Sequence, residues 1–161
     1  MVRSSPASEL LTSDSTDATR AIGRAIGRAA QPGALIALTG PLGAGKTQLA
    51  KGIAEGLGVT GVVNSPTYVL MNEHPGRLRL FHIDAYRLAD ADEAFAAGLL
   101  DERQAAGVTV VEWADRLAGQ LPDDRLEIEL LPDDAKPEHR TLRWQATGST
   151  AAILAGKALR R

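Results

Sequence analysis

Two apolar patterns alternate along the chain, one with helical spacing and one of short unbroken runs, and together they predict most of the elements. Ala18, Ile22, Ala25 and Ala29 fall on one face of a helix that Ser13, Asp14 or Ser15 can cap, and Gln31-Pro32-Gly33 ends it after Ala30. Ala34-Leu35-Ile36-Ala37-Leu38-Thr39 has the length and continuity of a buried strand. From Lys46 to Leu57, Leu49, Ala50, Ile53, Ala54 and Leu57 return to helical spacing. Thr67 to Glu73 and Leu78 to Asp84 read as extended runs joined by the turn His74-Pro75-Gly76-Arg77, which implies antiparallel pairing at one side of a sheet. Asp90 to Ala106 favours helix with a break at Gly98, Val108 to Val111 is a β-branched run ending in Glu112-Trp113, and a short helix follows from Ala114 to Gly119. Leu126 to Leu131 and Thr141 to Ala146 alternate as strands around a polar loop, and Ser149 or Thr150 can cap a last helix to Arg160.

The connection between the first strand and the second helix carries the chemistry. Gly40-Pro41-Leu42-Gly43-Ala44-Gly45-Lys46-Thr47 is a phosphate-binding P-loop, and it stands between a strand and a helix as that motif requires. Its glycines let successive backbone N–H groups turn toward a phosphate, the lysine adds a compact positive charge, and the threonine hydroxyl reaches a magnesium ion. Strand and helix alternation around this loop predicts an α/β fold, a three-layer P-loop NTPase-like domain with a mixed, partly antiparallel sheet. The expected ligand is ATP with Mg2+, because the Asn-Lys-x-Asp segment that reads guanine is not in the sequence.

Such a site needs an acidic group near the metal, and in parallel sheets ligands gather at the C-terminal tips of strands. Glu112 and Asp84 each end a predicted strand. Glu112 is the favoured metal ligand beside Thr47, and Asp84 the favoured group for orienting attacking water, although the two roles are interchangeable on sequence grounds. Thr67, in Ser65-Pro66-Thr67-Tyr68, stands where a segment that senses the terminal phosphate is expected; spacing alone favours an ordinary proline turn. Arg87 close to Asp84 and Asp90 reads first as a salt-bridge partner, Trp113 first as a core residue, and His82 as a hydrogen-bonded core histidine.

Composition narrows the partners. A chain of 161 residues that is 44% apolar fits a single domain over residues 1–161, with residues 1–12 expected to be disordered. A net charge of −2 offers no global field for holding a nucleic-acid backbone, so strong autonomous binding of nucleic acid is not expected. The absence of cysteine removes thiolate metal sites and cysteine nucleophiles. No apolar run approaches the length of a membrane span and Met1 to Leu11 does not resemble a targeting segment, so a soluble protein is expected, and ATP chemistry points to the cytoplasm. Two rival functions remain at this level, a small-molecule P-loop kinase and a nucleotide-gated binding module without significant turnover. The mixed charges of Asp101-Glu102-Arg103-Gln104 do not resemble the arginine-rich lid of a small kinase.

In order, Gly40 to Thr47, Ser65-Pro66-Thr67-Tyr68, His82-Ile83-Asp84-Ala85-Tyr86-Arg87-Leu88, Gly98-Leu99-Leu100, and Glu112-Trp113 followed by Leu121-Pro122 resemble the signature series of the bacterial TsaE family, formerly YjeE. The likeness spans about residues 13 to 145. It implies a weak cytosolic ATPase needed for the threonylcarbamoyl modification of the tRNA adenosine beside the anticodon. In that family the ATPase acts with TsaB and TsaD, meets tRNA through that complex, and is thought to reset it between turnovers. By the same resemblance Leu42, Gly43, Ala44, Gly45, Lys46 and Thr47 hold the phosphates, Thr47 and Glu112 the magnesium, and Asp84 serves hydrolysis. Thr16 approaches the adenine, and Arg140 stands in for a basic element that the loop Pro132 to His139 does not reproduce.

Overall fold

The computed structural model describes residues 8–64, 71–86, 102–117 and 119–160. Their elements run, in chain order, β1 (Glu9–Ser13), α1 (Thr16–Ala29), β2 (Leu35–Thr39), α2 (Lys46–Gly56), β3 (Met71–His74), β4 (Leu80–Asp84), β5 (Val108–Glu112), β6 (Arg125–Pro132), β7 (Arg140–Thr147) and α3 (Ser149–Ala158). Short 3-10 turns lie at Glu102–Ala106 and Ala114–Leu117. The helix-prone run from Asp90 falls outside the described residues as far as 101, as do Ser65-Pro66-Thr67-Tyr68 and Arg87.

One seven-stranded sheet has the order β1-β7-β6-β2-β5-β4-β3. The neighbours β6, β2, β5 and β4 are parallel, and antiparallel pairs close both sides, β3 on β4 and the ribbon β6-β7-β1. The expected mixed α/β fold is thus the observed one. Strand period decides which residues meet the helices. Ile36 and Leu38 of β2, Val108 and Val110 of β5, and Leu126, Ile128 and Leu130 of β6 join Ile22 and Ile26 of α1, Leu49 and Ile53 of α2, and Leu154 of α3 in the larger core. On the opposite face Leu35, Ala37, Ile83 and Val111 form a smaller cluster with Ala114 and Leu117 of the second 3-10 turn.

Within the stretch expected to be disordered, Glu9–Ser13 form β1, which pairs antiparallel with β7 from Glu9 opposite Trp144 to Ser13 opposite Arg140; residues 1–7 lie outside the described residues. Four of its five residues are not buried, so the segment lacks an apolar signal and gains order from backbone pairing with β7. That pairing also delivers the chain to Ser15, the N-cap of α1, whose hydroxyl accepts the Ala18 amide at 3.0 Å. The cap of α3 differs from expectation as well. Neither Ser149 nor Thr150 caps it; the carboxylate of Asp124, just before β6, accepts the Thr150 amide at 3.1 Å and the Ala151 amide at 2.9 Å.

Candidate functional site

β2 lies in the middle of the parallel strands, so the loop leaving its C-terminal end emerges beside the tips of β5 and β4. The register places Leu38 of β2 opposite Glu112 and Asp84 of β4 opposite the same Glu112. Gly43 and Gly45 adopt φ of 78° and 105°, a region in which a side chain is strained, and Gly45 is the N-cap of α2. Alternation of this kind turns successive amides toward one concave side, and the helix dipole adds partial positive charge there.

A cleft of about 410 Å³ follows from this arrangement, and it gathers Thr16, Leu42, Gly43, Ala44, Gly45, Lys46, Thr47, Asp84, Glu112 and Arg140. Every sequence-derived site residue among the described ones therefore borders the same space. Thr67 lies outside the described residues. The Thr47 hydroxyl donates to Glu112 Oε1 at 2.9 Å across a sequence separation of 65 residues. Lys46 is only 5% exposed; its Nζ donates to the Gly40 carbonyl at 2.6 Å and the Pro41 carbonyl at 2.8 Å and lies 3.9 Å from the centroid of the Trp113 ring.

Charge in the cleft is shaped by burial. Burial lowers the Lys46 pKa below its ordinary value, against the pull of Glu112, Asp115 and Asp84. Asp84 is raised above the usual 3.8, first by burial and then by the Glu112 charge, while the Tyr86 amide, His82 and Lys46 oppose the rise. Glu112, Asp84 and the Thr47 hydroxyl are the oxygen donors in the cleft that could hold a hard cation. Among the described residues no set of three or more His, Asp or Glu side chains converges as a metal cage.

Arg140 borders the cleft but spends its donors on backbone. Its Nε donates to the Ala44 carbonyl at 2.7 Å and Nη2 to the Gly43 carbonyl at 3.2 Å; Nη1 donates to the His139 carbonyl at 2.8 Å and to that of Pro137. The guanidinium thus ties the outer, carbonyl side of the P-loop to the β6–β7 connection.

The family described as "Threonylcarbamoyl adenosine biosynthesis protein TsaE" matches residues 13–142, a span that holds every described residue bordering the cleft. The chain belongs to the TsaE family. It is 41% identical over 137 residues to the tRNA threonylcarbamoyladenosine biosynthesis protein TsaE of Bacillus subtilis (strain 168), covering 84% of each chain. The Mycobacterium leprae protein of the same name is 45% identical over 121 residues, 70% of this chain and 75% of that one. A solved structure described as "Crystal structure of Bacillus subtilus YdiB" superposes with a TM-score of 0.77 at 33% identity and covers 97% of both chains. The TsaE family functions in biosynthesis of tRNA threonylcarbamoyladenosine, and the fold of this member is the P-loop NTPase-like one expected from its sequence.

Two features of the TsaE cleft were not read from the sequence. Trp113 is only partly the core residue its sequence context suggests: it packs partly on the smaller cluster but also borders the cleft, under the Lys46 ammonium and 4.8 Å from the Tyr86 ring. It adopts φ of 58°, rare for a bulky residue, at the point where β5 ends. Thr19 borders the cleft one helical turn after Thr16, and its hydroxyl lies 2.7 Å from Ser13 Oγ. Helical spacing from Thr16 was the one available signal for it.

Proposed function

We propose that the chain binds Mg·ATP in this cleft and hydrolyses it slowly, in the cytoplasm, as the ATPase subunit of threonylcarbamoyl transfer to tRNA. TsaB and TsaD are its proposed partners, and tRNA is met through them. The observation that carries the reading is the 2.9 Å contact between Thr47, at the start of the P-loop helix, and Glu112, at the tip of the adjoining strand, with Asp84 on the next tip. P-loop amides and Lys46 would hold the β- and γ-phosphates, and Thr47 and Glu112 would hold the magnesium, which would supply charge neutralisation at the phosphate oxygens. Asp84, its proton affinity raised, accepts the proton of the attacking water as the new oxygen–phosphorus bond forms and the bond to the ADP oxygen breaks. Trp113 keeps the ammonium of Lys46 on the floor of the loop.

Nucleotide titration and phosphate release test this assignment together. Lys46→Ala is expected to weaken ATP and ADP binding, whereas Glu112→Ala should retain binding without magnesium and lose most magnesium-dependent phosphate release. Full turnover in Glu112→Ala removes that residue from the site, and absence of saturation by millimolar Mg·ATP in the parent protein removes the function.

A further inference from the structure

His82 sits in the middle of β4, fully buried, on the face it shares with Leu80 and Asp84. Its Nε2 lies 2.5 Å from Glu112 Oε2, while the Thr47 hydroxyl occupies Glu112 Oε1 at 2.9 Å. The two oxygens of one carboxylate are therefore held by different elements, one by a strand and the other by the P-loop helix. His82 Nδ1 has no hydrogen-bond partner among the described residues. An apolar side chain would fill this place with no polar atom unpaired, so packing does not account for an imidazole here. The contact with Glu112 does. An ionised carboxylate only accepts, so the ring meets Glu112 through an Nε2–H donor.

We infer that His82 is a positioning residue for the magnesium site: it fixes the rotation of the Glu112 carboxylate so that Oε1 faces Thr47 and the metal. The inference rests on the Mg·ATP reading above and adds a residue that touches neither nucleotide nor metal. Groups standing behind a metal-binding carboxylate commonly govern affinity by about 10- to 100-fold.

The experiment measures ADP affinity by calorimetry twice for each variant, in excess magnesium and in EDTA, so that the gain due to magnesium is read apart from nucleotide binding itself. Thermal melting without nucleotide reports folding. His82→Phe fills the space without a donor; it is expected to keep the EDTA affinity and lose about ten-fold or more of the magnesium gain. His82→Gln places an amide N–H at the position of Nε2 and should restore most of that gain, whereas His82→Asn, whose amide matches Nδ1, should not. Should His82→Phe fail to fold, the Gln and Asn pair decides the matter by the same ratio. A full magnesium gain in folded His82→Phe, or equal gains in the Gln and Asn variants, overturns the inference. Loss of all ADP binding by the parent protein instead overturns the nucleotide reading, so the two failures are distinct.

Discussion

Asp84 shows at the residue scale how the site is set against stability. The folded protein raises its pKa above 3.8, chiefly through burial, so the folded state binds the proton more tightly than the unfolded chain does. Its contribution to stability is therefore largest below 3.8 and is withdrawn as pH rises from that value through the folded pKa. Asp84→Asn, which cannot ionise, is expected to raise the melting temperature at neutral pH while reducing phosphate release by about 10²- to 10⁴-fold. Melting curves between pH 4 and pH 7 beside a phosphate assay check both parts; an unchanged or lower melting temperature would contradict the first. Asp84 and Glu112 were legible as site residues because each ends an apolar run, and parallel strands present their C-terminal tips to ligands. Trp113 was not, because its left-handed backbone, which brings the ring under Lys46, leaves no mark in the residue pattern.

At the element scale, α1 and α2 form the support beneath the cleft. Gly23 and Gly27 of α1 meet Gly52 and Gly56 of α2, so the two helices run parallel in close contact with both N-termini toward the site. A Cβ on Gly23 would lie 2.5 Å from the Leu49 carbonyl oxygen and 2.9 Å from the Gly52 Cα, too near for any side chain. Gly23→Ala should cost about 1–3 kcal/mol, seen as a lower denaturant midpoint, despite the better helix propensity of alanine. An unchanged midpoint would show that the helices separate freely. The periodicity of Ala18, Ile22, Ala25 and Ala29 discloses α1, yet nothing in that spacing marks Gly23 and Gly27 as contact points until a second helix lies against them. Asp124 illustrates the same limit. Burial pushes its carboxyl up, but the Ala151 amide and the hydroxyl and amide of Thr150 together prevail and hold it below 3.8. Its stabilisation is thus present above 3.8 and disappears as pH falls through the lower folded value. Asp124→Ala should cost about 1 kcal/mol at pH 7 and little at the acid end. Equal losses in melts at both pH values would count against the cap.

Across the whole molecule, the larger core packs β2, β5 and β6 against the helices, while the cleft opens at one end of the sheet. Among the described residues no helix is long and apolar enough to cross a membrane. On the function proposed above, tRNA is met through partner subunits, and the net charge of −2 gives the chain no global field of its own for holding a nucleic-acid backbone. Depleting the protein and analysing tRNA nucleosides by mass should show loss of threonylcarbamoyladenosine. Restoration by the wild type and not by Lys46→Ala would tie that product to the P-loop; equal restoration by both would separate them.

Sequence alone determined the elements whose signal is local: the P-loop between strand and helix, the apolar faces of α1 and α2, and the acids that end β4 and β5. Periodicity and backbone geometry act over a few residues, and a single chain displays them directly. Tertiary structure alone decided what depends on residues distant in the chain. The strand Glu9–Ser13 exists by pairing with β7, α3 is capped by Asp124, and Arg140 holds carbonyls 96 and 97 positions away. Each of these satisfies a backbone donor or acceptor with a group whose proximity is fixed by the strand order of the sheet, a relation that no local pattern encodes.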